Sequence, residues 1–320
     1  MRFNFRGFRF PVMAAAMLAL SFSNVRADWQ RTDTSLAWAK GDSVVWKFSF
    51  DSTTGKPFFY PLSIGGGTSL INFKPEDHPW HYGLWFSWKY INHVNYWEED
   101  RTSGHAEGAT RWTTPLIETT PDGGATIRLT VSYIHPTGRV ELTEQREIRV
   151  SAPLADGSYT LDWRAHFTAG TEGVLLDRTP MPSEPEGKFN GGYGGLAIRL
   201  ASSPLSFAAV STHTFITHFE QERNRPNAAA LGFNIADGAT QLGSVAIVSA
   251  PANAGAEAPW YIVNSTQMRF ACAAILAPKP LHYAPGAQWE LHYRIILRPS
   301  PWTPEALSAV ATEAFPSVPK

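Results

Sequence analysis

The chain has 320 residues, of which 43% are hydrophobic, 13% aromatic and 17% charged, a balance that excludes disordered, collagen-like and coiled-coil proteins and supports a sizeable core. Its 27 basic and 28 acidic residues nearly cancel. No basic run or stripe is present to follow a phosphate backbone, so nucleic acid is not an expected partner.

The chain begins with Arg2, Arg6 and Arg9 ahead of an apolar run from Pro11 to Phe22, and Val25-Arg26-Ala27 has the small-residue pattern of a signal-peptidase site. Residues 1–27 therefore read as a secretion signal, leaving residues 28–320 as one mature domain in the periplasm or outside the cell. A spanning helix needs about 20 apolar residues, more than this run supplies, and no later stretch is long and apolar enough, so no membrane span is expected. Loss of the leader removes four arginines and leaves 23 basic against 28 acidic residues, a net charge of −5. An anionic ligand would then need locally placed arginines.

Period-two alternation dominates the remainder of the chain, punctuated by Gly, Pro, Asn and Asp. Trp46, Phe48 and Phe50 alternate with Val45, Lys47 and Ser49. After the turn Pro121-Asp122-Gly123-Gly124, Ile127, Leu129, Val131 and Tyr133 share a face, and beyond Pro136-Thr137-Gly138 a strand carries Val140, Leu142, Ile148 and Val150. Tyr159, Leu161, Trp163, Ala165 and Phe167 oppose Thr160, Asp162, Arg164 and His166; Trp289, Leu291, Tyr293, Ile295 and Leu297 oppose Glu290, His292 and Arg294. Those polar faces are either solvated or the floor of a concave groove. Cys272, the only cysteine, reads as a buried strand residue in a fold that relies on its core. Helical periodicity is confined to the tail, where Thr303 and Pro304 open a short helix. The expected fold is an all-β, single-domain antiparallel β-sandwich with a short C-terminal helix.

The densest chemistry lies at Asp77-His78-Pro79-Trp80-His81-Tyr82-Gly83-Leu84-Trp85-Phe86-Ser87-Trp88, which continues to Trp97-Glu98-Glu99-Asp100-Arg101 and Ser103-Gly104-His105. Polar-tipped rings need hydrogen-bond partners when buried, whereas at a cleft they stack on the C–H faces of sugars, so both a core and a carbohydrate platform fit this composition. His78 and His81 flank Pro79 in a turn and could be metal ligands, acid and base, or hydrogen bonds to the loop. Adjacent carboxylates alternate sides of an extended chain, and Glu98 abuts the aromatic cluster. Four glycines surround Tyr193 in Gly191-Gly192-Tyr193-Gly194-Gly195, at the end of a long Pro- and Gly-rich loop from Thr179, and permit close backbone approach.

With Lys56-Pro57-Phe58-Phe59-Tyr60-Pro61-Leu62, Asp77 to Phe86, Asn95-Tyr96-Trp97-Glu98 and Gly191 to Leu196, the sequence resembles a family of exported bacterial proteins of unknown function that carries the label methane oxygenase PmoA. It departs from that pattern at Trp80 and Tyr82, where His and Arg are expected. A methane monooxygenase subunit spans the membrane several times, so the label's oxygenase activity is not expected here. The resemblance implies a secreted sandwich linked to sugar catabolism, and its layout is similar to the aldose-epimerase (galactose-mutarotase-like) supersandwich.

These readings converge on a carbohydrate-active protein of hydrolase, lyase or epimerase type, with His78, His81, Glu98 and His105 as proton-transferring candidates. Trp80, Tyr82, Trp85, Trp97 and Tyr193 would hold the sugar, and Arg146 or Arg164 would neutralise a uronate. No cofactor is expected, with a metal on His78 and His81 as an alternative; a non-catalytic carbohydrate-binding module is the other.

Overall fold

The computed structural model describes Met1 and residues 27–315; the expected leader lies almost wholly outside them. Two ten-stranded antiparallel sheets pack face to face. The first runs, in spatial order, Ala27–Arg31, Ser35–Lys40, Ser43–Ser49, Phe58–Leu62, Leu84–Ser87, Gly195–Arg199, Arg269–Ala273, Ala258–Asn264 and Arg223–Asn224, with Asn227–Ala228 also paired to Ala258–Asn264. At the centre of the second lie Thr240–Ser249, Gln288–Arg298, Tyr159–Ala169, Val140–Val150 and Ala125–Ile134. A four-stranded sheet joins Leu281–Tyr283, Val174–Asp177, Tyr90–Ile91 and Val94–Asn95.

Alternation decides what each sheet buries. Tyr159, Leu161, Trp163, Ala165 and Phe167 all face inward and are sealed, meeting the first sheet where Phe59 lies 6.3 Å from Trp163 and Phe86 5.6 Å from Phe167 between ring centroids. A side chain the size of Leu161 or Phe167 removed from water in this way stabilises the fold by about 1.5–3 kcal/mol. The all-β antiparallel sandwich expected from the pattern is therefore the fold. The C-terminal helix, Pro304–Ala314, is capped by the Thr303 side chain, which accepts from the Ala306 N–H, and it seats Leu307 beside Val210, Ala246 and Val248 on the outer face of the second sheet.

The first sheet differs, because loops cover its outer face as well. Phe58, Tyr82, Trp85, Trp97, Ala197, Tyr261, Val263, Phe270 and Cys272 form a second buried cluster there, apart from the core between the sheets. Cys272 is sealed within it, and burial pushes its thiol up to about 12. Among the described residues, no helix is long and apolar enough to cross a membrane.

Candidate functional site

A hollow of about 190 Å³ opens on that outer cluster, lined by His78, Trp80, His81, Trp97, Glu98, Asn190, Tyr193, Arg223, Tyr261, Met268 and Phe270. Three neighbouring strands supply its floor. Alternation in Gly195–Arg199 sends Leu196 and Ile198 into the core and Arg199 outward, and in Arg269–Ala273 it sends Phe270 outward. The loop ahead of Leu84–Ser87 drapes the histidines over these side chains, with the His81 N–H donating to the His78 carbonyl at 3.0 Å. On the far side the loop ending in Tyr193 folds tightly, since a side chain on Gly191 would meet the Pro180 carbonyl oxygen at 1.9 Å.

Asp77 organises one wall. Its Oδ2 accepts from His78 Nδ1 at 2.8 Å, and both carboxylate oxygens accept from Arg199 Nη2 at 2.9 and 2.8 Å. Burial pulls the Asp77 pKa upward, but the bonds and charges of Arg199 and His78 outweigh it and hold the carboxyl below its usual range. Because a carboxylate accepts only, His78 carries a proton on Nδ1, and its Nε2 has no protein partner among the described residues. Its side chain is 34% exposed.

His81 is in a different state. It is 4% exposed, and its ring is stacked between His78 and Phe270 at 4.7 and 4.9 Å. Arg199 Nη1 approaches its Nδ1 at 3.3 Å; a guanidinium can only donate, so the His81 proton sits on Nε2. Burial, then the charges of His78, Arg199 and Lys56, push its pKa well below 6.5 and keep the ring neutral. His81 is thus corrected from a freely titrating acid or base to a fixed neutral imidazole.

Stability should respond to pH accordingly. An unfolded His81 takes up a proton below about pH 6.5 and the folded one does not, so stability is complete above that pH and falls with acidification, by up to about 1.4 kcal/mol per pH unit. Asp77, with its depressed pKa, acts only lower, as pH drops below about 4. Urea unfolding between about pH 7 and 5 should show this slope in the parent and its loss in His81→Gln; equal slopes would refute the assignment.

Opposite the histidines, Glu98 accepts from the Tyr193 hydroxyl and from Lys89 Nζ. Burial first, then the Glu98 charge, raises the Tyr193 pKa, so the phenol keeps its proton. Trp80 stands edge-on to His78 at 5.3 Å, and Trp97 packs edge-on to Tyr193 at 5.5 Å. The Trp80 ring also lies 5.5 Å from the Arg101 guanidinium, which is anchored on the Glu76 and Asp77 carbonyls.

Several sequence candidates lie elsewhere. Tyr82 is sealed, its hydroxyl donating to Glu99 at 2.8 Å, while Lys56 donates to the other Glu99 oxygen at 2.7 Å; this buried network lies beneath the site. Trp85 is also sealed, behind His81 at 5.1 Å. Neither can touch a ligand, because both lie in the cluster that the loops cover on the outer face of the first sheet. His105 is exposed beside a separate cavity of about 200 Å³ shared with Tyr96 and Glu99. Arg146 lies between the two sheets, held by Glu144. Arg164 is on the outer face of the second sheet, across the sandwich from the hollow.

Sequence reasoning missed Arg199, Arg223, Tyr261 and Phe270. These side chains arrive from strands more than a hundred residues downstream, and only strand alternation marks them. Among the described residues no three His, Cys, Asp or Glu side chains come together as a metal-holding group.

Fold and hollow together define a large antiparallel β-sandwich with an aromatic, histidine-bearing pocket on the covered face of one sheet. The chain belongs to a family of unknown function (DUF6807), matched over residues 35–312. A search of curated proteins finds no match. Similar solved structures include the alpha-galactosidase from Lactobacillus brevis (9% identity, TM-score 0.47, 86% of this chain and 40% of that one). A GH36 alpha-galactosidase from Geobacillus stearothermophilus in complex with 1-deoxygalactonojirimycin is similar at 8% identity and TM-score 0.47, over 86% of this chain and 41% of that one. A putative aldose 1-epimerase from Klebsiella pneumoniae is similar at 10% identity and TM-score 0.40, over 88% and 82%. The chain thus spans about 40% of the length of the galactosidases. At such identities and scores these likenesses speak to neither substrate nor chemistry.

Proposed function

We propose that the protein is a periplasmic or secreted carbohydrate-active enzyme, of hydrolase, lyase or epimerase type, with His78 as its principal proton-transferring group. The observation that carries this reading is the Asp77-oriented imidazole, whose free Nε2 borders an aromatic hollow that also holds Glu98 and Tyr193. Sugar chemistry of all three types needs an acid and a base on different sides of one ring. His78 Nε2 can accept a proton there, and the Tyr193–Glu98 pair on the other wall can supply or relay one. The neutral His81 contributes a fixed Nε2–H donor to a substrate oxygen. Trp80 and Trp97 offer apolar ring surface, and the volume suits a single sugar residue.

The resemblance to the PmoA-labelled proteins stays one of motifs, and oxygenase chemistry forms no part of the proposed activity. The test is incubation of the protein with a panel of oligosaccharides, read for both retention and new products by mass spectrometry. The expected result is a cleaved, unsaturated or epimerised product. Retention of glycans without any product would overturn the enzymatic reading and establish a binding module.

A further inference from the structure

The fixed charges around the hollow do not all pair. Asp77 is matched by Arg199 and Glu98 by Lys89. Arg223, which lines the same hollow, has no carboxylate within ion-pair distance among the described residues. It is nonetheless held in place. Its Nε donates to the Tyr261 hydroxyl at 3.1 Å, its Nη1 to the Gln221 carbonyl at 2.6 Å, and its guanidinium lies 5.1 Å from the Phe189 ring centroid. The chain reaches this position through Gln221 and Glu222, both at positive φ (44° and 69°), before Arg223 registers opposite Val263 on the edge of the first sheet.

Behind it Arg225 stacks 4.7 Å from the Tyr261 ring and donates to the Phe189 and Gly191 carbonyls, again with no acid partner among the described residues. Two guanidinium groups thus flank one tyrosine with no ion-paired carboxylate among the described residues, the charge of Glu220 being felt by Arg225 without a salt bridge, and the Nη2 donor of Arg223 has no protein acceptor among them. A planar, pre-positioned guanidinium with free donors at the edge of a sugar-sized hollow is the arrangement that receives a carboxylate.

We propose that the ligand of this hollow is an acidic saccharide, a uronic acid residue, whose carboxylate docks on Arg223 with Arg225 adding to the local positive field. This rests on the reading of the hollow as a sugar site, and it replaces the sequence expectation that Arg146 or Arg164 would meet the anion.

The experiment is calorimetric titration of the full protein with galacturonic and glucuronic acids and with galactose and glucose. The uronates should bind about tenfold or more tighter than their neutral counterparts, since a hydrogen bond to a charged group exceeds a neutral one. Added salt should weaken only the uronates. Arg223→Gln should abolish the preference, read as the ratio of uronate to neutral-sugar affinity, and Arg223→Lys should keep part of it. Neutral sugars binding as tightly as uronates, or a preference that survives Arg223→Gln, would overturn the carboxylate assignment and leave the sugar site standing. Binding of none of the four sugars would overturn the site reading and this inference with it.

Discussion

Replacing His78 by alanine is expected to lower turnover by about 10²–10⁴-fold while leaving the thermal midpoint close to that of the parent. Three observations separate those effects. The side chain is about one-third exposed, so its truncation leaves no sealed cavity. Its one side-chain hydrogen-bond partner among the described residues, Asp77, stays neutralised by Arg199 when the imidazole is gone. Its Nε2, the atom assigned to proton transfer, stabilises nothing in the fold. The neighbouring His81→Ala should behave in the opposite way: it would empty a site packed by Trp85 and Phe270 and strip Arg199 of an acceptor, so unfolding should shift first. Kinetics on the product identified in the oligosaccharide panel, with calorimetric melting of both variants, makes the comparison. Unchanged turnover in His78→Ala would remove the residue from the mechanism, and a large loss of melting temperature would make it a structural group.

What the sequence discloses about this fold depends on how many faces of a strand are covered. In Tyr159–Ala169 one face is core and the other meets water, so alternation announces both strand and orientation. In Leu84–Ser87, Gly195–Arg199 and Arg269–Ala273 both faces are covered, and each reads as a nearly continuous apolar run that conceals which residues point where. Tyr82 and Trp85 looked like platform residues for that reason. They sit in the densest aromatic stretch of the chain, yet of its Trp, Tyr and Phe rings the loops above them leave only Trp80 and Trp97 bordering the hollow.

The histidine wall was legible as composition, because His78, Trp80 and His81 are neighbours in sequence. Its electrostatics was not. Arg199 fixes the His81 tautomer and holds Asp77 from 118 and 122 residues away, a pairing that exists only once Leu84–Ser87 and Gly195–Arg199 lie side by side. Arg146 is the contrary case, since its placement could have been read. It shares parity with Leu142, Ile148 and Val150, and in a strand equal parity means the same face. Its charge argued for the surface, and Glu144, two residues away on that face, removed the argument.

That buried pair carries the largest expected effect on stability. Glu144 and Arg146 are both sealed, joined by Nε to Oε1 at 2.5 Å and Nη2 to Oε2 at 2.8 Å, with the Tyr133 hydroxyl donating to Oε2 at 2.8 Å. The guanidinium lies 4.9 Å from the Trp163 ring centroid, and its Nη1 has no acceptor among the described residues. Arg146→Met should therefore cost about 3–5 kcal/mol, chiefly because it strands the Glu144 carboxylate between two sheets with no counter-charge. The cost should not add up across the group. Tyr133→Phe, Glu144→Leu and Arg146→Met combined remove every polar atom of the cluster while roughly keeping its volume, and the triple variant should recover most of the loss or exceed the parent, since a buried ion pair seldom outperforms well-packed apolar side chains. Urea denaturation with an unchanged m value measures both. If the triple variant stays as unstable as Arg146→Met, then the contacts of the guanidinium with Trp163 and Phe86, at 4.9 and 6.0 Å, contribute more than the desolvation of the pair costs, and the charge in the core is a net stabiliser of the sandwich.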